Sequence, residues 1–171
     1  AVDLSSELLE DTVLTPIQVG SDEALGILRH STAHVMAQAV RDLYGTDVKI
    51  AIGPAIENGF YYDFLRDEPF NPEDVDRIEK RMAEIAAGAH PVVRQEGSRL
   101  TAIKKFTQQG EKYKVEILEE IEDETISIYK QGTFVDLCRG PHLPDTSWIK
   151  DFKLLRVAGA YWRGDEKNDV L

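Results

Sequence analysis

At 171 residues the chain is long enough for one medium domain with a fragment of another, and long enough to bury a sizeable core. Its 42% hydrophobic and 30% charged content is that of a globular protein, no apolar run approaches the ~20 residues of a membrane helix, and its single cysteine excludes an internal disulfide and favours an intracellular compartment. The formal net charge of −11 argues against duplex binding driven by counterion release.

The opening residues, AVDLSSELLED, are acidic and unlike a signal peptide, and with no initiator Met a processed or cut chain is expected. Residues 1 to about 19 read as a strand-rich tail, with VLTPIQV before Gly20, too short to fold alone and therefore the end of another domain. A helix follows. Ser21 is its expected N-cap, Asp22 and Glu23 suit the positive end of its dipole, and Tyr44-Gly45 stops it. At ~100° per residue, Leu25, Leu28, Val35, Met36, Ala39, Val40 and Leu43 form one apolar stripe. His30 and His34, one turn apart, fall on the far side of that wheel. A functional pair and ordinary surface histidines both fit this placement.

VKIAI, a Gly53-Pro54 turn and GFYYDF read as two strands around a loop. Asn71-Pro72-Glu73-Asp74 is a helix start, a cap followed by Pro and acids, and the helix runs to about Ala87 before Gly88. PVVRQEG reads as a strand, Ser98 opens a helix to about Gln109, and GEKYKVEILEEI opens another. ISIYKQ, TFVDLC and FKLLRVAGAYW read as strands. The expected fold is α+β, a mixed or antiparallel sheet with helices packed on one face, and no internal repeat or low-complexity segment interrupts it.

Between Arg94 and Lys114 the chain carries Arg94, Arg99, Lys104, Lys105, Lys112 and Lys114 against only Glu96 and Glu111. Such a strip can hold a phosphate on an otherwise acidic protein, or it is a solvated helix face.

The chemistry concentrates in two phrases, HSTAH and LCRGPH, which hold the only cysteine and three of the four histidines. His30 and His34 are not the HExxH of zinc proteases, because Ser31 follows the first histidine and removes the usual general base. Together with Cys138 and His142 they could still supply a tetrahedral metal site. The rival is a nonmetal hydrolytic site, with His as acid or base and Lys or backbone N–H groups stabilising an oxyanion. Asp136 lies two residues before Cys138, on the same face if the segment is a strand. It could orient an imidazole or accept a substrate ammonium, or simply face solvent. A thiolate nucleophile at Cys138 would need a His partner and a lowered pKa.

From Arg29 to Leu171 the chain resembles the editing domain of bacterial-type threonyl-tRNA synthetases. The matching segments are RHSTAH, AIGPAIENGFYYDF, EKRM, GEKYK, FVDLCRGPH, FKL and AGAYWRGD, in the family's order. The resemblance implies residues 1–19 as the tail of a TGS domain and 20–171 as the editing domain, with the catalytic and anticodon-binding domains absent from the chain. It implies hydrolysis of the ester of mischarged Ser-tRNA(Thr) and a cytoplasmic location. It carries the editing residues onto His30, His34, Lys114, Cys138 and His142, with Asp136 binding substrate and no metal. His30 and Lys114 would activate water or stabilise the oxyanion. The implied partner is the tRNA(Thr) 3′ end carrying serine, with no membrane. No cofactor is expected in this segment; the full-length family enzyme uses ATP and zinc in its catalytic domain and dimerises through the missing domains. The alanyl-tRNA synthetase editing domain shares the HxxxH and CxxxH pattern, and there the four residues hold zinc. A zinc-dependent hydrolase of that type and a catalytically silent tRNA-end binding module are the alternatives. The need for such a domain is physical. Serine keeps the threonine hydroxyl and lacks one methyl, a difference worth only roughly 1–3 kcal/mol in a pocket, so a second site must admit serine and exclude threonine by size.

Overall fold

The structure is a computed structural model that describes residues 1–171. Helix α1 (Asp22–Tyr44) starts where Ser21, in extended conformation, turns its hydroxyl onto the Ala24 N–H at 3.2 Å, and ends at Gly45, whose φ of +66° suits glycine. Helix α2 (Pro72–Ala87) begins with a full capping box: the Asn71 side chain takes the Asp74 N–H at 2.9 Å and Asp74 takes the Asn71 N–H at 3.1 Å. Ile78, Met82 and Ile85, one turn apart along α2, are buried against α1, each burial worth roughly 1.5–3 kcal/mol.

The strands are all antiparallel and fall into three small sheets. β1 (Lys49–Ile50) pairs with β4 (Phe64–Leu65), and β2 (Ala55–Ile56) with β3 (Gly59–Phe60). The third sheet has the order β5-β6-β7, from β5 (Val92–Ser98), β6 (Thr125–Gln131) and β7 (Phe134–Leu137). Between β5 and β6 stand α3 (Arg99–Gln108) and α4 (Lys112–Glu120). The architecture is α+β with antiparallel sheets, as the pattern implied.

Where the pattern placed helices on one face of the sheet, both faces are covered. Ile126, Ile128 and Leu137 pack against Ala102, Phe106 and Leu118 of α3 and α4, while Phe134 joins the core of α1 and α2. The period-two alternation of β7 then sends Asp136 to the α1 side with Phe134, opposite Tyr129 in the register.

Burial on both sides changes the reading of α1. All ten residues from Ser31 to Val40 are buried. The histidine side is therefore not a surface: His34 is 4% exposed, covered by β7 and the segment that follows it. Two expected strands are absent. FKLLRVAGAYW carries no ladder, only an isolated bridge from Tyr161 to Val170, and Leu155 is 84% exposed. VLTPIQV is likewise unpaired, with Val13 92% exposed. β-Propensity reports fit to a paired, half-buried surface, and neither segment has a partner strand to supply one. No helix is long and apolar enough to cross a membrane.

Candidate active site

Four separated stretches converge on one cavity of about 1100 Å³. The third and fourth turns of α1 give His30 and His34, the strand-like run after β3 gives Tyr62, the first turn of α4 gives Lys114, and β7 with its exit gives Asp136 and Cys138. His142 closes the cluster from behind Cys138, 6% exposed and off the cavity wall.

Lys114 and Asp136 form an ion pair at 2.6 Å with both side chains almost fully buried. The Tyr62 hydroxyl completes it, donating to Asp136 Oδ2 at 2.5 Å and accepting from Lys114 Nζ at 3.2 Å. Asp136 Oδ1 also accepts the Leu137 N–H at 2.8 Å, and His34 Nε2 stands 3.9 Å from Oδ2. Lys114 departs from the exposed basic strip expected of it, and of the alternatives left open for Asp136 the solvent-facing one does not hold. Helix α4 turns Lys114 inward while Lys104 and Lys105 on α3 stay exposed. The rest of the strip is dispersed, Arg94 pairing with Glu96 at 2.6 Å and Lys112 with Asp169 at 2.5 Å.

The imidazoles and the thiol make a second, neutral cluster. Cys138 Sγ lies 3.3 Å from both His30 Nε2 and His142 Nε2, and accepts the Gly140 N–H at 3.2 Å. Ser31 Oγ accepts the Leu143 N–H at 3.0 Å and sits 3.0 Å from His142 Nδ1. A hydroxyl carries one proton and two lone pairs, so the Ser31 contact with Nδ1 fits either tautomer of His142. A line of hydrogen-bonding contacts runs Ser31, His142, Cys138, His30, and the His30 Nδ1 stands outside it. Burial lowers the pKa of His30, and lowers those of His34 and His142 far more, with the neighbouring positive groups adding to it. Burial pushes the Cys138 thiol up to about 12, against the opposing pull of the Gly140 N–H. At neutral pH the cluster holds neutral imidazoles and a neutral thiol, so Cys138 is not a thiolate nucleophile. His30 is the least buried of its three imidazoles. A neutral imidazole facing a cavity is a general base in its active form.

Two glycines allow these approaches. A Cβ on Gly53 would lie 2.0 Å from the Tyr62 ring, and one on Gly140, at φ +71°, would lie 1.8 Å from the Tyr129 hydroxyl. Tyr129 packs on His142 with ring centroids 4.5 Å apart, and donates to Asp3 at 2.6 Å. Asp3 also takes the His142 N–H at 2.9 Å.

The lining also includes the charged Arg94, Arg139, Glu120, Glu122 and Asp123 beside the apolar Ile117, Ile121 and Ile126. Sequence reasoning brought His30, His34, Lys114, Asp136, Cys138 and His142 together, and they are together. It missed Tyr62 and Ser31. The signal for Tyr62 was present in GFYYDF, where a tyrosine buried on a strand must find a partner for its hydroxyl.

Comparison with known proteins shows what the chain is similar to. Residues 126–171, which include β6, β7, Asp136, Cys138 and His142, match the family model described as the threonyl and alanyl tRNA synthetase second additional domain. The match extends well beyond that segment. The chain is 57% identical over 170 residues to the threonine–tRNA ligase of Pelobacter propionicus, covering 99% of this chain and 27% of that protein. It is 54% identical over 171 residues to that of Syntrophotalea carbinolica, with 99% and 27% covered, and 52% identical to threonine–tRNA ligase 1 of Bacillus subtilis, with 99% and 26% covered. The chain is similar to these threonine–tRNA ligases along nearly its whole length, and spans about a quarter of theirs.

Proposed function

We propose that the chain is the editing hydrolase segment of a threonine–tRNA ligase and cleaves the ester of mischarged Ser-tRNA(Thr). One observation carries the reading: the buried Lys114–Asp136–Tyr62 cluster and His30 line one cavity, large enough for an aminoacyl-adenosine. The scissile ester is already activated, so the site has only to position water, stabilise charge and hold the single-stranded end. Neutral His30 takes a proton from water as the oxygen attacks the ester carbonyl carbon. The Lys114 ammonium donates to the oxyanion that forms. Collapse of the tetrahedral intermediate breaks the bond to the ribose oxygen, which takes up the proton held by His30. Asp136 anchors Lys114 and presents the negative charge that the serine ammonium needs. Tyr62 orients the pair, and Cys138, a small wall beside His30, limits the room for a threonine methyl.

In this reading tRNA(Thr) is the partner, Arg94 and Arg139 meet its terminal phosphates, and the location is cytoplasmic. Residues 1–19 are the end of a TGS domain and 20–171 the editing domain. ATP, zinc and the homodimer interface belong to parts of the ligase outside this chain. The test is deacylation of Ser-tRNA(Thr) and Thr-tRNA(Thr) at high domain concentration. Hydrolysis of the serine ester alone is expected. Equal hydrolysis of both would reduce the protein to a general deacylase, and binding of a seryl-adenosine mimic without hydrolysis would make it a silent tRNA-end module.

A second reading has its own observation. One ligand atom each from His30, His34, Cys138 and His142 lies within 4.8 Å of every other, the donor set suits zinc, and Ser31 orients His142 from behind. These residues would hold a zinc ion, which would supply Lewis acidity to water or the ester carbonyl. We favour metal-independent hydrolysis because Lys114 already supplies the positive charge. Elemental analysis after mild chelation separates the two: stoichiometric zinc, with activity lost on its removal and regained on its return, would establish the zinc enzyme.

A further inference from the structure

Glu111 is a buried carboxylate that the reaction above does not use. It stands at the N-cap of α4, its carbonyl accepting the Val115 N–H at 3.1 Å, and is 5% exposed. One carboxylate oxygen accepts from Arg41 of α1, and the other takes the Ile50 N–H of β1 at 3.2 Å. Arg41 is the one cation within 4 Å of it. Lys114 lies three residues further along α4, the spacing that puts two side chains on one helix face. Arg41, Glu111, Lys114 and Asp136 together line a second cavity of about 440 Å³, which shares Lys114 and Asp136 with the substrate cavity. Glu111 is close enough to act electrostatically on Tyr62, whose hydroxyl bridges Lys114 and Asp136.

The neighbourhood therefore holds two buried carboxylates and one catalytic lysine. An ammonium on a flexible stem with three rotatable donors can serve either. A buried carboxylate left without a partner is costly enough to capture the nearest cation. We infer that Arg41 is a positioning residue for Lys114, its guanidinium occupying the competing carboxylate of Glu111 so that the lysine stays on Asp136 and in the substrate cavity. Other charges nearby do not substitute. Lys49 donates to the Thr46 carbonyl at 2.6 Å, and Asp42 is taken by Arg81 at 2.8 Å. The inference rests on the reading of Lys114 given under the proposed function.

The experiment is a cycle of Arg41→Ala, Glu111→Gln and the double variant, read by Ser-tRNA(Thr) deacylation and by amine-selective labelling of Lys114. Arg41→Ala lowers kcat by about 10²-fold with KM little changed, the scale of a misplaced catalytic group. Glu111→Gln keeps an acceptor for Ile50 and removes the competing charge, so alone and in the double variant kcat stays within about tenfold of wild type, the cost of losing a hydrogen bond but not the lysine. Lys114 labelling changes in Arg41→Ala and returns in the double variant. A double variant as impaired as Arg41→Ala, or an Arg41→Ala domain with wild-type kcat, overturns the inference, because a plain strut cannot be rescued by removing its partner. If Arg41→Ala does not fold, Arg41→Lys and Arg41→Gln decide. Retention in the first and loss in the second assign the effect to charge, and equal behaviour overturns it. A wild-type domain that hydrolyses nothing would sink the proposed function instead, and the labelling pattern would still decide the placement of Lys114.

Discussion

His30 and Lys114 look alike as assigned groups and differ as parts of the structure. His30 is partly exposed to the cavity and bonded only to a neutral thiol, so His30→Ala should hold the melting temperature within a few degrees while deacylation falls by on the order of 10²-fold. The expectation for Lys114 as a surface residue would have been the same. Its burial against Asp136 reverses it: Lys114→Ala leaves an unpaired buried carboxylate and should cost about 3–5 kcal/mol, visible in urea unfolding. Combining Lys114→Met with Asp136→Asn should restore much of the stability and none of the activity. A double variant that stays unstable would show that the pair's hydrogen bonds, and not its charges, hold the fold. Cys138 offers a test of the size filter. Its neutral thiol lines the cavity beside His30, so Cys138→Ala should begin to hydrolyse Thr-tRNA(Thr) while retaining most serine hydrolysis. Loss of serine hydrolysis with no gain on threonine would instead assign the thiol to the reaction.

At the scale of elements, the helices were legible because their ends are written in short side chains. Ser21 and Asn71 cap where expected, and Gly45 and Gly88 stop the runs. Asp74 serves more than the cap, since it accepts from Tyr44 at 2.8 Å and from Arg66 at 3.0 Å, and the hydrogen bond from Tyr44 leads in lowering its pKa. Asp74→Ala should therefore destabilise by about 2–4 kcal/mol, a lost cap plus charge-assisted hydrogen bonds, with deacylation at 20 °C unchanged. The candidate site was legible as a set of residues and not as surroundings. The helical wheel located His30 and His34 correctly on the side away from the apolar stripe, but a wheel cannot show that β7 and its exit cover that side. The same limit applies to FKLLRVAGAYW and VLTPIQV, which have strand composition and no partner. Pairing is a tertiary fact, and one-dimensional patterns do not contain it.

For the whole molecule, three buried imidazoles set the response to acid. The pKa values of His30, His34 and His142 are all lowered from 6.5 by burial, so the folded state binds fewer protons than the unfolded chain once the pH drops below that value. Stability then rises with pH up to about 6.5, is complete above it, and is lost as the pH falls. The melting temperature should decline from pH 6.5 downward, and His142→Asn should flatten that decline. An unchanged slope in the variant would place the acid sensitivity among the carboxylates.

The bonds that define the site span the chain: Ser31 to His142 across 111 positions, His30 to Cys138 across 108, Tyr62 to Asp136 across 74. Closing loops of that length is the slow, late part of assembly, and the only local hydrogen bonds of the site lie between Asp136 and His142. A chain caught partway, with its helices formed and β7 still undocked, carries every reactive group and no reactive geometry. Activity should return in refolding with the slowest phase that buries Tyr62, and never ahead of it.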